Sequence, residues 1–465
     1  MNNTARVIIE SIDANGQGIA RIDGKTIFVN DVLPSEEAII EIYKNKPNFS
    51  LAKLVELIKP SPDRVQPKCP NFGICGGCSL QHLSFEAQIL SKQKVLIDNL
   101  KHIGKVTAEN ILPPIAGVSW GYRHKARISV KYVIKKDSVL VGFLEKSAPY
   151  VTNMSQCEIL PEHISKLITP LRELITQLSI KTKIPQIELA VGDNLSVLVF
   201  RIMDALTELD KKLLKEFVET HNTIEYPLQI WLQPKGIDSC YPFAPQTSMQ
   251  LSYELPEFNI RMPYFPTEFT QVNPVINQQM VSLAIKLLDL KPNDEVFDFF
   301  CGIGNFTLPI ATKVNNVIGI EGSEQLVKRA KENAIYNKLD HKTRYSVANL
   351  FEIDSQWLKK LGKRNKWLID PPRNGAIELF NAITSEIAPD IIVYVSCNTA
   401  TLARDAAILV HEHGYVLKAT GIMNMFPHTS HVESIAVFIN YNGIAHKKID
   451  KGIISHYFLK WDIVL

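Results

Sequence analysis

Along residues 4–58 apolar and polar positions alternate in short runs, RVIIESI, GIARIDGKTIFV, EAIIEIYK and FSLAKLVELI. Turn residues interrupt them at Asn15-Gly16, Asp23-Gly24 and Pro34-Ser35. A two-residue period bounded by such turns predicts strands, and this set predicts a small five-stranded β-barrel over 1–60. The period lengthens over 84–101. Behind Ser84, a good helix cap, Phe85, Ile89, Val95, Leu96 and Leu100 recur at helical spacing. Residues 137–265 read as mixed α/β without chemistry of their own. From about 266 strands and helices alternate, with strands predicted at 295–299, 316–320, 343–347, 366–370, 391–396 and 432–439. That is the pattern of a doubly wound, Rossmann-like α/β domain. The expected organisation is multidomain: a barrel (1–60), an α+β central domain (61–265) and an α/β domain (266–465). The stretch 85–113 is a candidate to pack on the last of these.

Composition narrows the class. At 465 residues, 46% hydrophobic and 21% charged, the chain is ordinary for a folded protein of about three domains and unlike a disordered or collagenous one. Lys plus Arg is 51 against 48 Asp plus Glu, so any nucleic-acid surface must be a local patch. The most basic stretch is 119–136, SWGYRHKARISVKYVIKK, with Arg123, Lys125, Arg127, Lys131, Lys135 and Lys136 interleaved with Trp120, Tyr122 and Tyr132. Cations for phosphates and rings for unstacked bases suit single-stranded RNA. No apolar run is long enough to span a bilayer, and Met1 to Ser11 lack a signal-peptide core, so a soluble cytoplasmic protein is expected.

Seven cysteines, an odd number, argue against a disulfide framework. Cys69, Cys75 and Cys78 form C-x5-C-x2-C, with Gly73, Gly76 and Gly77 letting the backbone wrap closely around a bulky centre. Cys157 is the best fourth thiol. Four thiolates suit a [4Fe–4S] cluster or zinc. One tight triplet plus one remote cysteine favours iron–sulfur, since zinc usually takes two close pairs.

The predicted strand 295–299 runs into Cys301-Gly302-Ile303-Gly304-Asn305-Phe306. Its glycines let a ligand lie against the backbone, and Glu321, at the end of the next strand, is placed to take ribose hydroxyls. A dinucleotide loop would want a third glycine where Thr307 stands. Asp298, the GxGNF loop and Glu321 together look like an S-adenosylmethionine site of a class I methyltransferase. Two further strand ends carry Asp370-Pro371-Pro372-Arg373 and Ser396-Cys397-Asn398. Ligands of open α/β sheets bind beyond the carboxyl ends of strands, so Glu321, Asp370 and Cys397 are expected to face one crevice.

With FTQVN (269–273), DFFCGIGNF (298–306), IDPPRNG (369–375), VSCN (395–398) and FPHTSHVE (426–433), nearly the whole chain resembles the RNA uracil-C5 methyltransferases, and among them those acting on 23S rRNA. The resemblance implies a TRAM domain, an OB-like RNA-binding barrel, at the N-terminus and a [4Fe–4S] cluster on Cys69, Cys75, Cys78 and Cys157. It implies Cys397 as nucleophile, Glu433 as base, and Gln271, Phe300, Asn305, Glu321, Asn349 and Asp370 at cofactor-contacting positions. The implied co-substrate is S-adenosylmethionine and the partner 23S rRNA, presenting a flipped uridine to a monomer with no membrane or obligate protein partner. The same chemistry on tRNA or on another 23S uridine, and a non-catalytic RNA-binding or assembly factor, are the alternatives. The intact Cys397 and Glu433 argue against the last.

Overall fold

Thr4–Ile8, Ser11–Ile12, Gly18–Ile22, Lys25–Asn30, Glu37–Asn45 and Phe49–Lys59 form the first sheet of this computed structural model, which describes residues 3–13, 15–146, 148–244 and 249–441. Six strands stand where the alternation predicted five; the additional one is the two-residue Ser11–Ile12, too short to show a period. The sheet wraps Val7, Ile9, Ala20, Ile27, Val29, Val32, Ala38, Ile40 and Ala52, the inward positions of the alternation. Gly18 allows this closure, because a Cβ there would lie 2.3 Å from Val32. The barrel is tied to the rest of the chain by the buried Glu36, which accepts from Arg64 at 2.5 and 2.8 Å, and by Lys146 on Asp31 at 2.9 Å.

The central region is built on a second six-stranded sheet. Its order is Tyr241–Pro242, Leu228–Gln233, Ser196–Arg201, Gln186–Val191, Lys125–Val133 and Ser138–Gly142. One face packs on the helices Ile168–Gln177 and Glu208–His221. The other face shares a core with the C-terminal domain, where Val197, Val199, Tyr253 and Met262 meet Ile276, Met280 and Leu308.

The C-terminal sheet contains seven strands from the predicted α/β region: β1 (Glu295–Phe299), β2 (Asn316–Glu321), β3 (Thr343–Val347), β4 (Lys366–Ile369), β5 (Ile391–Ser396), β6 (Val416–Met423) and β7 (Glu433–Ile439). Their spatial order is β3-β2-β1-β4-β5-β7-β6, with β7 antiparallel to both neighbours. An eighth strand, Asn110–Ile111, adds parallel to β6 at the edge. Helix α1 (Phe85–Asn99), capped by Ser84, lies against the helix Thr399–Ala407 and against β6. The segment following the cysteine triplet thus packs on the C-terminal α/β domain. The strand β6 had no sequence prediction. No helix among the described residues is long and apolar enough to cross a membrane, and residues 442–465 of the predicted last domain lie outside those described.

Candidate active site

The carboxyl ends of β1, β2, β4 and β5 open on one cavity of about 550 Å³, within the range of small-molecule sites. After β1 the chain turns sharply: Phe300 sits at φ 63°, Gly302 at 54° and Gly304 at 97°. A phenylalanine in the left-handed region is strained, and such strain concentrates at ligand sites. Its ring turns toward Phe351 at 5.7 Å, and both rings line the cavity. Glu321 is held by backbone amides, accepting from Gly302 at 3.2 Å and Ser323 at 3.0 Å. The carboxylate is thereby fixed at the rim of the glycine turn with lone pairs to spare for hydroxyl donors.

All eight residues expected to carry catalysis or to touch the cofactor line this cavity: Gln271, Phe300, Asn305, Glu321, Asn349, Asp370, Cys397 and Glu433. Asn305 is less free than a ligand contact would be. Its Oδ1 accepts from Tyr253 at 2.9 Å and from Asn277 at 3.1 Å, while its amide donates to Asn277 Oδ1 at 2.9 Å. Tyr253 and Phe351 also line the cavity and were missed. Tyr253 comes from a hairpin outside the α/β pattern, and Phe351 follows Asn349 in a loop without periodicity.

The meeting of Cys397 and Glu433 is a matter of strand register. Ser396, the last residue of β5, pairs with Ser434 of β7, whose hydroxyl donates to the Ser396 carbonyl at 3.0 Å. One residue beyond this pair on each chain stand Cys397 and Glu433. The Cys397 loop is braced by the DPPR loop, since Asn398 Nδ2 and Thr401 Oγ1 both donate to the Arg373 carbonyl, at 3.0 and 3.2 Å.

Burial sets the protonation of these groups. It pushes the Cys397 thiol up to about 11, helped by the charges of Glu433 and Asp370 and opposed by Arg373. The Glu433 carboxyl is pushed well above the ordinary range by burial and by Asp370, and Asp370 is pushed up to about 7 by burial. The free site therefore holds a neutral thiol among carboxyl groups that take up protons readily. Cys301, on the glycine turn, also lines the cavity, and burial with the charges of Asp298 and Glu321 raises its thiol well above the ordinary range.

The loop that delivers Glu433 is held from outside the domain. The His428 backbone, at φ 64°, accepts from Ser79 N and Leu80 N at 3.0 and 2.9 Å. The His428 ring stacks on Trp120 with centroids 3.8 Å apart, and Tyr122 donates to the Pro427 carbonyl at 2.9 Å. This corrects the reading of the basic stretch. Tyr122 is buried and Trp120 is occupied, so neither ring is free for a base. Lys125 points inward to the Pro266 and Glu268 carbonyls. Arg127, Lys131, Lys135 and Lys136 remain exposed.

Cys69, Cys75, Cys78 and Cys157 line a second, much smaller cavity of about 20 Å³. Burial, with the charges of the other thiolates, pushes Cys78 up to about 12 and Cys157 up to about 11. Four thiolates in such a place would repel one another unless a cationic centre joined them, so the donor set suits a thiolate-ligated group in its chemistry, though not in the present placement of the side chains. Among the described residues no three His, Cys, Asp or Glu side chains are arranged to hold a metal ion. Cys240 lies apart, half-buried against the central sheet.

Comparison with known proteins places the chain. The profile of the tRNA (Uracil-5-)-methyltransferase family matches residues 121–441, and that of the TRAM domain matches residues 2–55. A 23S rRNA (uracil(1939)-C(5))-methyltransferase RlmD of Chromobacterium violaceum is 56% identical over 431 residues, covering 93% of this chain and 84% of the relative. The protein of the same name from Nitrosospira multiformis is 51% identical over 436 residues, covering 94% and 98%. Among solved structures, the Pyrococcus abyssi tRNA (uracil-54, C5)-methyltransferase in complex with S-adenosyl-L-homocysteine superposes with TM-score 0.70 at 22% identity, over 94% of this chain and all of that one. That likeness establishes a shared fold.

Proposed function

The chain belongs to the tRNA (uracil-5-)-methyltransferase family, and on that premise we propose that it methylates C5 of one uridine in 23S rRNA, the uracil 1939 named in its relatives. The observation that carries this reading is the single cavity shared by the strained glycine turn, Glu321, Asp370, Cys397 and Glu433. S-adenosylmethionine, when bound, supplies the electrophilic methyl group. Phe300, Glu321 and Asn349 are the residues assigned to hold it, with Gln271 and Asn305 at the same wall. The all-thiol set of Cys69, Cys75, Cys78 and Cys157 is read as the ligand set of a [4Fe–4S] cluster in the central domain, and the TRAM domain as an RNA-binding module.

The chemistry follows from what uracil lacks. C5 is a poor nucleophile until a group adds at C6. Cys397, having given up its proton, bonds its sulfur to C6, and the electron pair of the C5–C6 double bond is delocalised onto C5 and O4. C5 then takes the methyl group as the bond from that methyl to the co-substrate's sulfonium sulfur breaks, leaving a neutral thioether, and C5 now bears both methyl and hydrogen. Glu433 removes that proton, the double bond re-forms, and the Cys397 thiolate leaves. Asp370 is assigned a hydrogen bond to uracil or cofactor. The ring must leave its stack to reach sulfur 397, and the enzyme is taken to act on it as a monomer.

The test is transfer of labelled methyl to 23S rRNA fragments. Label in the wild-type fragment and none in a fragment with uridine 1939 replaced by cytidine is expected. Label appearing only in tRNA defeats the substrate assignment.

A further inference from the structure

Helix α1 buries a stripe at four-residue spacing, Gln88, Lys92 and Leu96, all at most 2% exposed. Two of the three are polar, which is unusual for the inward face of a surface helix. Both act on the main chain that leads to Glu433. Lys92 Nζ donates to Asn424 Oδ1 and to the Phe426 carbonyl, each at 2.8 Å. Gln88 Oε1 accepts from His428 N at 2.8 Å, and its amide donates to the Leu83 carbonyl at 2.8 Å and the Leu80 carbonyl at 3.1 Å. Gln88 Nε2 also lies 3.3 Å from His428 Nδ1.

We propose that Gln88 and Lys92 are positioning residues for proton removal from C5: from α1 they grip the turn 424–428 and so set where Glu433 stands relative to Cys397. The turn needs such a grip. It joins β6 to β7 through a left-handed His428, and its carbonyls at Phe426 and His428 point at α1 and at the segment after Cys78 instead of into the sheet. Neutral oxygens are the partners of a fully buried ammonium here, a costly arrangement that burial alone would not favour. Burial also pushes the Lys92 amine down to about 7, so it holds its two acceptors whether charged or neutral. Among the described residues, the side-chain hydrogen bonds of Gln88 and Lys92 end on the turn before β7 and on Leu80 and Leu83, and none reaches Cys397 or the glycine turn 301–305. The grip therefore bears on the step that uses Glu433.

The inference rests on the reading of Glu433 as the base. Lys92→Met keeps the apolar stem and removes the donors. With a 23S rRNA fragment as substrate, KM is expected to stay within about threefold while kcat falls about a hundredfold, the usual cost of displacing a catalytic group by about 1 Å. A denaturation-resistant methylated RNA adduct on Cys397 should accumulate, and Lys92→Arg should restore most of kcat. Should Lys92→Met not fold, Gln88→Met carries the same readouts. An unchanged kcat, a loss confined to KM, or a fall in kcat with no adduct overturns the proposal. Wild-type enzyme run alongside separates the two layers. If it transfers no methyl to the fragment, the function is misread; if it does and Lys92→Met matches it, only this inference fails.

Discussion

The Glu433 carboxylate is the foremost charge raising the Cys397 thiol, which burial above all pushes up to about 11. The proposed nucleophile and base thus oppose each other in the free protein: a charge on Glu433 makes the sulfur reluctant to lose its proton. Bound uracil and methyl donor must shift this balance. In the free protein the consequence is measurable. The rate of Cys397 alkylation by iodoacetamide should rise with pH through a midpoint near 11, and Glu433→Gln should move that midpoint down, giving faster alkylation at pH 9. A midpoint that stays put or climbs in the variant would show that the two groups do not sense each other.

The register sets Cys397 and Glu433 one residue beyond the Ser396–Ser434 pair, and the proposed mechanism gives them separable steps. Cys397→Ala should abolish both turnover and the covalent RNA complex, a loss of at least about a thousandfold. Glu433→Gln should still form the bond to C6 and accept the methyl group, then stall, so that complex accumulates while product falls by about the same factor. Gel mobility of denatured enzyme–RNA mixtures distinguishes the two. A complex in Cys397→Ala would move the nucleophile to another residue.

Asp370, at the end of β4, has its carboxyl pushed up to about 7 by burial, above the roughly 3.9 of an unfolded chain. A carboxyl with a raised folded-state value favours the fold most below the unfolded value. That contribution fades as pH climbs from about 4 through 7, because the unfolded chain ionises first. The ligand-free enzyme should therefore melt at a lower temperature at pH 8 than at pH 5.5. Asp370→Asn should flatten this slope and raise Tm at pH 8 by about 2–4 °C while lowering methyl transfer, a trade of stability against activity. Equal slopes in both proteins by calorimetry would remove Asp370 from the pH dependence.

The catalytic domain was readable because its central strands, such as IIVYVS at 391–396, are continuous apolar runs that stop at a polar strand end. In a parallel sheet that punctuation marks the ligand edge. β6 escaped because VLKATGIM breaks its run with Lys418 and Gly421; Gly421 is there because a Cβ would meet Leu112 at 2.8 Å, a contact with chain 309 residues away. The same reason hid Gln88 and Lys92. On a helical wheel they look solvated, and only the turn 424–428, brought in by tertiary packing, explains their burial. Trp120 and Tyr122 erred in the opposite direction: their interleaving with cations matched an RNA surface, but their partners are His428 and Pro427.

The cysteine cavity also bears on stability. Cys78 is followed by Ser79, whose backbone and hydroxyl both bond the turn before β7: Ser79 N donates to the His428 carbonyl at 3.0 Å and Ser430 N donates to Ser79 Oγ at 3.0 Å. Whatever ties Cys78 in place therefore also steadies the approach to Glu433. Thiolate-bound centres contribute their binding free energy directly to folding. Anaerobically purified protein is expected to be brown with about four irons per chain. Cys157→Ser should lose most of that iron, lower Tm, and raise amide hydrogen exchange both around 69–80 and at 424–431. Iron retained at about four in the variant would exclude Cys157 as a ligand. A colourless wild-type protein with one zinc would replace the cluster by a mononuclear site, and unchanged exchange at 424–431 after iron loss would uncouple the cysteine segment from the catalytic turn.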